Sequence, residues 1–361
     1  MASSPSSSSR LLSLDILRGI TVAGMIVVNN GWEGYFPTLT HSRWNGLTLC
    51  DLVFPFFLFI MGISTCLSLS KSQFRPTRPL VLKILRRTLL LFLIGLAINW
   101  LCGAVEGDFG FSHLRIWGIM QRIALCYCLA SLFVLFLPHK YLPSAIAALL
   151  LFHTVLLLAG NGYAYDETNI LARADRTLFG WDHLYHKSPV DPEGLLATPV
   201  SVAHVLIGFC CGKLLKQIGN LDTKVMNILL LGTVLLLLGW FLTQCGLPLN
   251  KRVWSPSYLL VTCGAAALLQ GLLMFVIDIR GHRRWTRFFH VFGANALFLY
   301  VVSELLNIFL APLGVSARIY EAVHALISSQ PWASLGYSLV FLLLCFLCGY
   351  PLYRRKIYIK L

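Results

Sequence analysis

The run His41-Ser42-Arg43-Trp44-Asn45-Gly46-Leu47-Thr48, with what flanks it, decides how the chain folds. Before it lies an apolar stretch, Gly19 to Val28, that ends in Asn29-Asn30. After it comes Asp51-Leu52-Val53-Phe54-Pro55-Phe56-Phe57-Leu58-Phe59-Ile60-Met61, aromatic-rich, with an acid in its first turn. Two apolar stretches joined by a polar loop read as a helical hairpin with a histidine, several amides and a carboxylate at one mouth. The 361-residue chain is 57% hydrophobic and 12% charged, and its mean hydropathy is +0.74. In so apolar a chain a polar cluster is costly to bury and marks function.

Working outward, apolar windows fall near 16–30, 51–70, 84–102, 116–137, 142–160, 199–215, 226–245, 257–279, 289–311 and 333–353. Each approaches the roughly 20 residues a bilayer requires. The fold class is therefore an all-α polytopic membrane protein of about ten transmembrane helices, with His153 interrupting the fifth window. An even number puts both termini on one side. If that side is cytoplasmic, it carries 20 of the 29 basic residues, in clusters such as Lys83-Arg86-Arg87 and Arg280-Arg283-Arg284-Arg287, but only Asp15, Asp222 and Asp278 of the 15 acids. The positive-inside rule predicts that asymmetry. The net charge of +14 is then topological rather than a nucleic-acid footprint. The Ser-rich leader 1–9 lacks the features of a signal peptide and reads as a disordered tail. Residues 10–361 read as one transmembrane domain. The eleven cysteines fall mostly inside apolar runs, without metal or disulfide spacing.

Several polar residues have both a chemical and a bland reading. His41 suits a general base, because a neutral imidazole accepts a proton near neutral pH; alternatively it hydrogen-bonds a loop. Asp51 suits a helix N-cap, and facing inward it would orient His41 or Arg122. Asn29 and Asn30 end the first span and would either cap it or hold an oxyanion. Gln121 and Arg122 lie near the start of the fourth span, where an arginine needs a partner or a wet cavity; a pair with Glu304 would occupy both charges. The longest loop opposite the basic face, 161–198, contains Asp182, His183, Asp191 and Glu193, suited to sugar hydroxyls or an ammonium rather than to a metal. Lys251, Trp254, Ser255 and Tyr258 add an aromatic and donors of the kind sugar sites use.

Ten blocks spread in order from the first span to the ninth resemble the heparan-α-glucosaminide N-acetyltransferase family. Among them are Leu14-Asp15-Ile16-Leu17-Arg18-Gly19, His41-x-x-Trp44-Asn45-Gly46-Leu47-Thr48, Asp51-Leu52-Val53-Phe54-Pro55, Gln121-Arg122, Asp182-His183-Leu184-Tyr185, Asp191-Pro192-Glu193-Gly194 and Asn250-Lys251-x-x-Trp254-Ser255. The resemblance implies an enzyme that takes acetyl from cytosolic acetyl-CoA and places it on the amine of a glucosamine across the membrane. It puts the catalytic histidine on His41 and the assisting asparagine on Asn29, with Asp51 beside them. The sugar is expected against Asn30, Trp44, Asn45, Asp182, His183, Asp191, Glu193, Trp254 and Tyr258. Acetyl-CoA is expected against Arg18, Arg86, Arg87, Gln121 and Arg122, with no metal. The interval from Asn29 to His41 is one residue longer than the family's, which makes Asn30 a substitute for Asn29, and Ser303 stands where human-type members have histidine. The sequence starts close to the membrane core and is expected to lack the lumenal domain of lysosomal members, so the expected acceptor is a small amino sugar or oligosaccharide and the expected home a bacterial cytoplasmic membrane. Relatives imply a homodimer. Two other readings stay open: an O-acyltransferase of cell-surface polysaccharide, and an amino-sugar transporter.

Overall fold

The computed structural model describes residues 11–359, so the leader 1–9 lies outside the described residues. Among these the fold is helical, without strands. In order the helices are α1 (Leu12–Asn29), α2 (Leu49–Leu69), α3 (Arg78–Val105), α4 (Ile119–Phe136), α5 (Leu142–Ala159), α6 (Ile170–Phe179), α7 (Thr198–Gln217), α8 (Leu221–Gln244), α9 (Pro256–Leu273), α10 (Thr286–Ala294), α11 (Ala296–Leu310), α12 (Val315–Leu326) and α13 (Gln330–Arg354). Among the described residues nine segments are long and apolar enough to cross a membrane, and α10 with α11 makes a tenth if the bent pair is one span.

The helices sort by what their surfaces touch. α7 is enclosed by protein, with Val200, Val205, Leu206 and Phe209 all buried; α2, α4 and α9, mostly buried themselves, pack against it, and α1 is mostly buried beside α2 and α9. α3, α5, α8 and α13 form the outside. Leu82, Leu89 and Leu93 on α3, and Leu230, Leu237 and Phe241 on α8, are exposed. Apolar side chains pointing away from the protein suit a hydrocarbon solvent, where water does not penalise them and close backbone packing drives helix association instead. That packing is clearest where α2 crosses α7. A Cβ on Gly62 would run into the Val205 carbonyl, and one on Gly208 into the Phe59 carbonyl. Each glycine thus admits the other helix's backbone, and the crossing sets where the first turn of α2 stands.

Three local features depart from the hydropathy pattern. The window 289–311 is not one straight helix: α10 and α11 meet at 85°. Asn295 occupies the corner, buried, its amide donating to Ile357 O at 3.0 Å and its Oδ1 accepting from Ile359 N at 2.9 Å. Those bonds to the chain after α13 stabilise the broken ladder. The segment 312–332 is not simply loop, because α12 lies in it with Tyr320 stacked on Trp32 at 4.9 Å. His153, in the fifth window, donates through Nε2 to Val253 O at 2.8 Å, so the imidazole ties α5 to the chain preceding α9.

Candidate functional site

The loop between α1 and α2 carries His41, and α2 begins with Thr48 as its N-cap. Asp51 is therefore not the N-cap but the third residue of the helix, where it completes a capping box with Thr48,. Its Oδ2 accepts from Ser42 N at 3.1 Å and Thr48 N at 3.3 Å, with the Thr48 hydroxyl at 3.0 Å. Its Oδ1 lies 2.8 Å from His41 Nδ1 and 3.4 Å from Lys251 Nζ. Asp51 is fully buried, whereas the His41 side chain is 51% exposed. This is a carboxylate held by backbone and turned on a ring that faces the solvent.

The tautomer follows from those contacts. Lys251 Nζ also lies 3.0 Å from His41 Nδ1, and one ring nitrogen cannot both donate to Asp51 and accept from Lys251. An ionised carboxylate only accepts, and Asp51 is nearer. Nδ1 then carries the proton, Lys251 turns its hydrogens to Asp51 Oδ1, and Nε2 is left with its lone pair. Cys50 Sγ, 3.1 Å from Nδ1 and 3.7 Å from Nε2, fills the space beside the ring. Lys251 and Cys50 were not expected at this pair; the sequence offers no signal that a residue 210 positions away meets His41.

Lys251 is delivered by a tight turn. Asn250 Oδ1 accepts from the N–H groups of Arg252 and Val253 at 2.9 and 3.2 Å, and its Nδ2 donates to Asn45 Oδ1 at 3.0 Å. Gly46 N donates to Leu249 O at 2.8 Å, locking the two loops edge to edge. Trp254 closes the turn with φ +52°, a left-handed conformation unusual for so large a residue. Trp44 sits on the other flank, donating through Nε1 to Tyr163 O at 2.8 Å with its ring 4.9 Å from Tyr165.

The other expected residues separate into rim and scaffold. Asn29, the last residue of α1, is exposed at the same end of the hairpin, and Asn45 and Asp182 are exposed too. Asn30 is buried: its Nδ2 donates back to Ile26 O at 2.8 Å and its carbonyl accepts from Ser338 at 2.9 Å, so it ends α1 and ties it to α13. Trp254 and Tyr258, expected against sugar, are buried behind the site at 1% and 0% exposure. Asp191 and Glu193 are buried as well, both gripped by Arg115 at 2.9 and 2.8 Å. These two carboxylates outweigh the desolvation of Arg115 and raise its pKa. His183 Nδ1 donates to Leu114 O at 2.8 Å, which fastens the same loop.

Arg122 is likewise scaffold. It is fully buried, and no pair with Glu304 forms. Its guanidinium donates to Gly194 O and Ser201 Oγ at 2.7 Å and to Pro192 O and Ala197 O at 3.3 Å, while Glu304 has Tyr300 of its own helix as a neighbour. A charge in the interior is tolerable because four acceptors replace its water. Gln121 is buried against Gly95 and Gly118. Both are buried in the first turn of α4. Of the others, Arg18 is engaged with Asp15 at 3.1 Å and Ser64 at 2.8 Å. Arg86 is exposed, and Arg87 lies over the Tyr127 ring at 4.6 Å with a buried Nε that has no hydrogen-bond partner. No group of three metal-ligating side chains occurs among the described residues.

A model of the family described as heparan-alpha-glucosaminide N-acetyltransferase, catalytic, matches residues 10–239. The mouse protein named heparan-alpha-glucosaminide N-acetyltransferase is 30% identical over 362 residues, covering 84% of this chain and 54% of its own length. The human protein of that name is 30% identical over 420 residues, covering 98% of this chain and 60% of its own length. The chain thus spans little more than half the length of these relatives. The family match takes in His41, Asp51 and the whole hairpin that presents them, and on that match the chain belongs to the heparan-alpha-glucosaminide N-acetyltransferase catalytic family.

Proposed function

We propose that the protein is a transmembrane acetyltransferase that moves acetyl from acetyl-CoA to the amine of a glucosamine-type sugar, with His41 as general base. The supporting observation is the 2.8 Å contact between His41 Nδ1 and the fully buried Asp51 carboxylate. With Nδ1 donating to that carboxylate, a neutral ring keeps its lone pair on Nε2, as proton abstraction requires.

In this reading the sugar amine attacks the thioester carbonyl while His41 Nε2 takes its proton. Asn29 donates to the oxygen on which negative charge develops. Collapse breaks the carbon–sulfur bond, and the CoA thiolate leaves with the proton held by His41. Asp51 keeps the ring oriented and balances the imidazolium. Asn45, Trp44 and Asp182 form the rim that meets the sugar, and the basic end of the bundle, with Arg86 and Arg87, meets the CoA phosphates. Acetyl-CoA is then cytoplasmic and the sugar lies on the opposite side, in the bacterial cytoplasmic membrane, with a second copy of the chain as partner.

The test is release of CoA thiol by purified protein in detergent, with and without glucosamine, for wild type and His41→Ala. Sugar-dependent release that disappears in the variant supports the reading. Normal release from His41→Ala removes His41 from the chemistry. Labelled acetyl retained on His41 without sugar would replace direct transfer by a two-step route.

A further inference from the structure

Pro55 lies inside α2, one helical turn after Asp51. A regular α-helix bonds the N–H of residue 55 to the carbonyl of residue 51. Proline has no N–H, and its ring pushes that carbonyl off the helix axis. The Asp51 carbonyl is thus a buried acceptor without its helical partner, which a folded chain rarely leaves unpaired. Tyr258 supplies the partner. Its hydroxyl donates to Asp51 O at 2.6 Å from α9, and its ring is fully buried, 5.4 Å from Trp254.

We propose that Tyr258 is a positioning residue for the His41–Asp51 pair: its hydroxyl replaces the hydrogen bond that Pro55 removes and so fixes the residue whose carboxylate orients His41. The inference rests on the reading of His41 as the base. Asp51 is held from two directions. The loop N–H groups of Ser42 and Thr48 hold its carboxylate, and Tyr258 holds its backbone. The second hold comes from outside α2. The α9 segment that carries it also follows directly on the turn that brings Lys251 to His41, so one stretch, Asn250 to Tyr258, braces both the histidine and its carboxylate. Tyr258 reaches no sugar in this arrangement, since its hydroxyl is committed and its ring enclosed.

The experiment is a cycle of Tyr258→Phe, Pro55→Ala and the double variant, assayed by glucosamine-dependent CoA release beside His41→Ala. Tyr258→Phe is expected to lower kcat about tenfold or more with the sugar KM within about twofold. Pro55→Ala alone stays near wild type. The double variant recovers most of the loss, because the N–H of an alanine at 55 can bond the Asp51 carbonyl directly. Thermal unfolding of the same four proteins should show the same rescue, which keeps the test decisive if Tyr258→Phe is too unstable to assay. A double variant as impaired as Tyr258→Phe overturns the proposal, as does a raised KM at unchanged kcat, the mark of sugar contact. Wild-type activity in Tyr258→Phe while His41→Ala is inactive sinks the proposal alone; an active His41→Ala sinks the reading beneath it.

Discussion

Asp51→Asn tests the site most directly, because the arrangement of donors dictates how the amide must sit. Oδ2 of Asp51 faces the N–H groups of Ser42 and Thr48 at 3.1 and 3.3 Å. An asparagine NH2 cannot face two N–H donors, so its oxygen takes that place and its NH2 turns to His41 Nδ1. The imidazole must then accept at Nδ1, which moves its proton to Nε2, the atom proposed to take the proton of the amine. The fold loses only about 1–3 kcal/mol, the worth of one charge-assisted hydrogen bond. The rate should fall much further, about a thousandfold in kcat, which corresponds to about 4 kcal/mol of barrier. The assay is CoA thiol release at saturating glucosamine, with thermal unfolding in the same detergent to confirm folding. A folded variant within about threefold of wild type would refute both the tautomer and the role of Asp51.

Three further outcomes are expected. Arg122→Met should lower stability by about 3–5 kcal/mol, read as a drop in Tm, because it strips the carbonyls of Pro192 and Gly194 of their buried donor,. Asp175 accepts from Leu195 N at 2.9 Å, but burial, with Asp191 nearby, pushes its carboxyl up to about 7 from 3.8. The folded protein therefore holds a proton that the unfolded chain has lost, and stability should fall between about pH 4 and 7 by up to about 4 kcal/mol. Asp175→Asn should flatten that slope in Tm against pH, and an unchanged slope would exclude Asp175 as its source. Gly208→Ala should cost about 1–3 kcal/mol and lower activity, since its Cβ meets the Phe59 carbonyl and must move α2 with Asp51 on it. Equal Tm and activity would show that the α2–α7 crossing tolerates a methyl group.

Much of this was legible before the fold. The hydropathy windows match the helices because a spanning segment must satisfy its backbone internally over a fixed thickness, a constraint local in sequence. His41 and Asp51 were legible as neighbours because ten residues separate them across a single helix start. The roles of the acids were not. Asp191 and Glu193 read as ligands for sugar hydroxyls or an ammonium, whereas the structure turns both onto Arg115, 76 and 78 residues away. Arg122 read as a charge in need of a partner, but four backbone and hydroxyl acceptors leave no periodic trace in the sequence.

By itself, then, the sequence determined a helical membrane bundle, the clustering of basic residues between its spans and a polar mouth built on the first hairpin, since each follows from solvation along a short run of chain. The tertiary structure alone decided which polar groups face that mouth and which hold it together. It put Lys251 against His41, Tyr258 beneath Asp51 and Arg115 between two acids, and it broke the ninth window at Asn295. Those outcomes depend on hydrogen bonds between residues tens to hundreds of positions apart, where partner choice is set by helix packing rather than by local preference.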